Sequence, residues 1–142
     1  MLSIIIPAYN EELSVERAYY TISEILEKAQ IDNEIIFIDD GSTDTTYEKI
    51  KNLADKEKNI SGLHFSRNFG KEAAISAGLA NVEGECAVVL DCDLQHPPEQ
   101  IVQMYRLWQE GYEIVEGIKI SRGKESKIHG LAAKNFYSII SS

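Results

Sequence analysis

Apolar positions along the chain fall in short runs that alternate with stretches of helical period. Residues 2–7, "LSIIIP", make a β-rich run that stops at Pro7. Val15, Ala18, Tyr19, Ile22, Ile25, Leu26 and Ala29 then recur at three- and four-residue steps, which predicts a helix. "EIIFIDD" (34–40) reads as a second strand, and "GSTDTT" behind it as a turn and helix start. Thr45 and Glu48 have the spacing of a capping box, and Tyr47, Ile50, Leu53 and Ala54 mark the helix that follows. "ISGLHFS" (60–66) predicts a weaker third strand, 71–81 a helix, and "ECAVVLD" (85–91) the best buried strand. Pro97 and Pro98 suit the first turn of a helix carrying Ile101, Met104, Tyr105 and Trp108. "EIVEGIKI" (113–120) is a fifth strand. The stripe of Ile128, Leu131, Ala132, Phe136, Ile139 and Ile140 makes 126–140 look helical.

Strand–helix alternation with nearly continuous apolar strands predicts an α/β fold, a Rossmann-like, mostly parallel sheet with helices on both faces. Such sheets bind ligands at the carboxyl ends of their strands, near the point where strand order switches. The polar clusters fall at those ends. Strand one runs into Asn10, Glu11 and Glu12, strand two into Asp39 and Asp40, strand three into Arg67 and Asn68, strand four into Asp91 and Asp93. So many acidic groups at one rim call for a cation among them.

Size and charge narrow the classes. A chain of 142 residues, 44% hydrophobic and 26% charged, suits one domain with a real core. A net charge of −9 argues against a general nucleic-acid binder. Residues 117–142 carry five lysines and arginines against Glu125, a net +4, which leaves −13 on the rest. A basic end on an acidic body points to a phosphate or an anionic membrane surface. Cys86 and Cys92 read as buried, reduced thiols of a cytosolic protein. No apolar stretch reaches about 18 residues, and the N-terminus reads as a strand rather than a signal peptide.

Asp91-Cys92-Asp93 is read most economically as a site for Mg²⁺ or Mn²⁺, with a solvated strand-end turn as the alternative. Gln95 offers a neutral oxygen beside it; His96, before Pro97, reads as a loop residue rather than a base. Asp39 and Asp40 fit either hydrogen bonding to a base or ribose, or capping of the next helix. Arg67 and Lys71 flank Gly70 at a helix start, where amides and cations favour a phosphate; a solvated surface turn fits equally. The 126–140 stripe suits an interfacial helix or one docked on the protein's own core.

Taken in order, "SIIIPAYNEE", "IIFIDDGSTDTT", "FSRNFGKEAAISAGL", "GECAVVLDCDLQHPPE" and "EIVEGIKISRG" resemble the family-2 glycosyltransferases of the GT-A fold. Within them the likeness is to the polyprenyl-phosphate sugar transferases, of the dolichol-phosphate mannose synthase and bactoprenol glucosyltransferase type. The resemblance implies a nucleotide-sugar-binding domain over 1–123. It also implies that 124–142 is an amphipathic segment leading into an acceptor or membrane region that the chain stops short of. Pro7, Tyr9, Glu11 and Asp40, with Asp39 beside them, would line the nucleotide pocket. Asp91 and Asp93 would hold the metal with Gln95 near it, and Lys71, Lys119 and Arg122 would face phosphates.

Lys119 stands where such enzymes usually carry arginine, which keeps the charge and loses the bidentate fork. The implied activity is metal-assisted, inverting transfer of a sugar from a UDP- or GDP-linked donor to an acceptor, a polyprenyl phosphate first. Its implied place is the cytoplasm, at the cytoplasmic face of the membrane. A saccharide hydroxyl acceptor, or a donor-binding domain inactive alone, are the alternatives. Haloacid-dehalogenase-like phosphatases also use a D-x-D pair, but after an early strand, whereas this pair comes late.

Overall fold

The computed structural model describes residues 1–95, 97–112, 114–119, 126–129 and 138–141, the last three segments by their backbone. The elements follow one another as β1 (Leu2–Ala8), α1 (Val15–Lys28), β2 (Asn33–Asp39), α2 (Thr46–Lys56), β3 (Ile60–His64), α3 (Lys71–Leu79), β4 (Cys86–Val89), α4 (Gln100–Gln109), β5 (Ile114–Lys119), β6 (Ser126–His129) and β7 (Ser138–Ser141). They build one sheet in the order β3-β2-β1-β4-β7-β5-β6. The first four strands are mutually parallel. β7 pairs antiparallel with both β4 and β5, and β6 antiparallel with β5.

Side-chain alternation in β1 and β2 explains the layering. Ile4, Ile6, Ile35 and Phe37 point to one face, where Val15, Ile22 and Leu26 of α1, Ile50 and Leu53 of α2, and Ile101 and Met104 of α4 cover them. Ile5, Ile36 and Ile38 point to the other, where Ala74 of α3 meets them. The chain must cross β2 and β1 to travel from β3 to β4, and α3 makes that crossing on the second face, alone among the described helices. Gly78 lets it lie close, since a Cβ there would stand 2.6 Å from Cγ2 of Ile5. Strand order therefore reverses between β1 and β4, and a crevice opens at their carboxyl ends.

Register sets what meets in that crevice. Leu90 donates its amide to the Ile5 carbonyl at 2.9 Å, and Asp40 donates its amide to the Ala8 carbonyl at 2.9 Å. These bonds carry the ladders past the strand ends. Tyr9, Asp40 and Asp91 therefore leave the sheet on one rim.

Two expectations are corrected. The helix over 126–140 is replaced, in its described residues, by β6 and β7. Ile139 and Ile140 are β-branched, and they pair with Val88 and Ala87 along the otherwise free edge of β4. The Thr45–Glu48 capping box is absent: Thr45 makes no side-chain cap bond to α2. Its hydroxyl donates to Glu12 Oε2 at 2.6 Å instead.

Candidate functional site

Two loops leave β1 and β2 side by side and are stitched together. Asn10, at φ 51, accepts the Thr43 amide at 2.9 Å on its side-chain oxygen, while its own amide donates to Ser42 Oγ. Glu12 Oε2 accepts both the amide and the hydroxyl of Thr45. The Glu11 amide donates to Thr46 Oγ1 at 2.8 Å, and Asp44 accepts the Thr46 amide. The bonds from the Thr45 hydroxyl and amide hold the Glu12 carboxyl below its ordinary range. Burial pushes Asp44 up, but the Thr46 hydroxyl and amide outweigh it and leave that carboxyl lowered too. Tyr9 and Glu11 thus stand on a cross-braced turn rather than a free loop.

Pro7, Ala8, Tyr9, Glu11, Asp40, Lys71, Asp91, Cys92 and Asp93 line one open cavity of about 200 Å³. Most of the residues singled out in the sequence meet here, from the ends of β1, β2 and β4 and the start of α3. Lys71 Nζ donates to Asp91 Oδ1 at 2.6 Å. Asp93 Oδ1 accepts the Gln95 amide at 3.3 Å, and the Asp93 carbonyl accepts from Arg17 Nη2.

Cys92 stays neutral: burial, then the negative charges of Glu11 and Asp93, push its thiol up to about 12. It is 2% exposed and packs into the core between the two aspartates.

Other residues stand apart. Asp39 is fully buried and does not line the cavity. Its Oδ1 accepts the Ser42 amide at 3.0 Å, and its Oδ2 lies 2.6 Å from Nδ1 of His64, whose ring stacks on Tyr47. Gln95 is exposed and outside the lining. The Arg67 guanidinium lies over the Phe69 ring, 4.3 Å from its centroid, and only Lys71 of that cationic pair reaches the cavity. Lys119 sits at the end of β5, while His96 and Arg122 lie outside the described residues.

The donor set suits a hard divalent cation. Asp91 and Asp93 supply carboxylate oxygens on one wall, and Asp91 already draws an ammonium to itself. Among the described residues no three His, Cys, Asp or Glu side chains converge as a metal site. A Mg²⁺ or Mn²⁺ ion here would complete its shell with ligand oxygens and water, as magnesium commonly does. Among the described residues no helix is long and apolar enough to cross a membrane.

A mostly parallel sheet with a rim cavity at its switch point is the architecture of the GT-A glycosyltransferases, and solved structures of that fold superimpose on it. A mannosyltransferase from Pyrobaculum calidifontis, in complex with GDP-Man and Mn²⁺, superimposes with a TM-score of 0.70 at 22% identity, over 85% of this chain and 36% of that one. Glucosyl-3-phosphoglycerate synthase from Mycobacterium tuberculosis, solved with Mn²⁺, UDP and phosphoglyceric acid, gives 0.63 at 28% identity, over 84% and 42%.

The chain belongs to glycosyl transferase family 2, which it matches over residues 3–139. The bactoprenol glucosyl transferase of Shigella phage SfV is 36% identical over 97% of this chain and 45% of its own length. The chain spans less than half the length of the curated relatives it matches.

Sequence reasoning missed the stitching of the two loops and the occupation of Asp39 and Asp40 by internal donors. The small polar residues of "GSTDTT" were the available signal. Their partners, 32 to 35 residues away, were not readable.

Proposed function

We propose that these residues form the donor side of a glycosyltransferase that moves a sugar from a UDP- or GDP-linked donor to a polyprenyl phosphate. The observation that carries this reading is the convergence of Pro7, Tyr9, Glu11, Asp40, Lys71, Asp91 and Asp93 on one cavity at the switch point. The Mn²⁺ and nucleotides bound by the solved relatives, and the bactoprenol relative's acceptor, support it.

In this reading Tyr9 and Pro7 form an apolar wall for the nucleoside, with Glu11 at the ribose side. Asp91 and Asp93 would hold Mg²⁺ or Mn²⁺, with Gln95 adjacent. A bound divalent ion would neutralise the charge that builds on the departing nucleoside diphosphate. Lys71 lends a further positive charge to the same oxygens. The family resemblance gives Lys119 and Arg122 to phosphates, and an acceptor phosphate brings a second anion towards the first and needs such cations to approach. An ionised phosphate carries its own nucleophilic oxygen and requires no general base, unlike a hydroxyl. Single displacement with inversion follows, at the cytoplasmic face of the membrane.

Because the chain spans under half its relatives' length, a second reading is that it binds donor without transferring the sugar. Thermal shifts with UDP-, GDP- and dTDP-sugars, with and without Mn²⁺, test the donor pocket through binding linkage. Stabilisation that requires both metal and one nucleotide is expected; no response to any pair counts against the pocket. Turnover with polyprenyl phosphate then separates the two readings.

A further inference from the structure

The two carboxylates on the rim are carried by a strained turn. Asp91 and Asp93 line the cavity, while Cys92 between them and Leu94 after them pack on the main core. The Leu94 amide closes the turn on the Asp91 carbonyl at 3.1 Å. That closure puts Leu94 at φ 53, in the left-handed region that a leucine seldom enters. The Gln95 amide then bends back to Asp93 Oδ1 at 3.3 Å.

A bond from α1 holds this turn from outside. Arg17 Nη2 donates to the Asp93 carbonyl at 3.0 Å, across 76 residues of chain. Arg17 stands in the first turn of α1, is exposed, and lies outside the cavity lining. Its end of the helix is itself fixed. The Val15 amide donates to the Glu11 carbonyl, and the Glu11 amide to Thr46 Oγ1. The guanidinium therefore links the cross-braced loops after β1 and β2 to the turn after β4.

We propose that Arg17 is a positioning residue for the metal. By holding the Asp93 carbonyl it keeps the 91–94 turn in the shape that presents both carboxylates to one divalent ion. The inference rests on the donor-site reading above. Two effects of the guanidinium oppose each other: its charge repels a divalent ion, while its bond organises the ligands. Water and salt screen an exposed charge, so the bond outweighs it. Removing the side chain then weakens metal binding, where charge alone would make it tighter.

The test measures Mn²⁺ affinity of the 142-residue chain by electron paramagnetic resonance of the free ion. Urea unfolding and amide hydrogen exchange at Leu94 are followed alongside. Arg17→Met should bind Mn²⁺ about tenfold more weakly, with faster exchange at Leu94 and an unchanged urea midpoint. Arg17→Lys keeps a charge and a donor and should recover part of the lost affinity. Equal or tighter Mn²⁺ binding in Arg17→Met would reduce Arg17 to a surface charge and overturn the proposal. A loss of affinity that tracks a lowered urea midpoint would overturn it too, as would a loss with Leu94 exchange unaltered. A wild-type chain that binds no Mn²⁺, with or without UDP or GDP, would contradict the donor-site reading instead. Leu94 exchange in Arg17→Met would then decide the brace alone, and an unaltered rate would remove it.

Discussion

Lys71 Nζ donates to Asp91 Oδ1 at 2.6 Å, so the first residue of α3 is tied to the carboxylate that follows β4. The two side chains are 58% and 30% exposed, and such a solvent-screened pair contributes about 1 kcal/mol at most. A divalent ion brings twice the charge to the same oxygen. In the proposed donor site Lys71 and a metal would therefore compete for Asp91 until a diphosphate gave the ammonium a second partner. Lys71→Met should bind Mn²⁺ alone about threefold to tenfold more tightly, yet bind UDP or GDP with Mn²⁺ more weakly. Electron paramagnetic resonance of free Mn²⁺ reads the first effect. An unchanged or weaker Mn²⁺ affinity would end the competition account.

Asp91 and Asp93 stand on the rim rather than in the core, which separates function from folding. Asp91→Asn and Asp93→Asn should each weaken Mn²⁺-dependent nucleotide binding by ~10-fold to 100-fold, with stability within about 1 kcal/mol of wild type. Calorimetry and urea unfolding measure the two quantities. A large loss of stability with nucleotide affinity intact would recast the pair as structural.

The stitched loops make a prediction in acid. Glu12 and Asp44 both titrate below their ordinary values. Their contribution is therefore complete above the unfolded carboxylate range, near pH 4, and is lost only as pH falls through the lowered folded values. The Thr45 and Thr46 amide resonances should hold steady from pH 7 to about 4.5 and move below it. A midpoint at or above the ordinary carboxylate range would mean the clamp does not form in solution.

Gly78 tests the packing of α3. A methyl group there meets Ile5 Cγ2 at 2.6 Å, against a fully buried neighbour with no room to yield. Gly78→Ala should destabilise the fold by about 1–3 kcal/mol through overpacking, despite alanine's better helix propensity. A urea midpoint at or above wild type would show that α3 lies further from the sheet.

The parallel half of the fold was legible because its strands are apolar on both faces. β1, β2 and β4 could be read from Ile4–Ile6, Ile35–Ile38 and Cys86–Val89 before any contact was known. The end of the chain was not. Ile128, Ile139 and Ile140 also fit a helical stripe; what decides the state of Ile139 and Ile140 is the open edge of β4, some fifty residues earlier, while Ile128 pairs with β5. The acidic residues at the strand ends were visible as chemistry, and the cavity gathers Asp40, Asp91 and Asp93. Their long-range hydrogen bonds were invisible, because His64 at the end of β3 and residues 68–70 reach Asp39 and Asp40 only in the tertiary fold. Spacing likewise offered Thr45 to Glu48, while the fold gives it to Glu12.

The central claim is that one divalent ion and a nucleoside diphosphate share the rim between Asp91 and Asp93. Anomalous diffraction at the manganese edge, from crystals grown with Mn²⁺ and UDP or GDP, tests it most directly. A single peak within bonding distance of either carboxylate and of the diphosphate oxygens is the predicted result. A nucleotide bound elsewhere, with no anomalous signal at this rim, would contradict it.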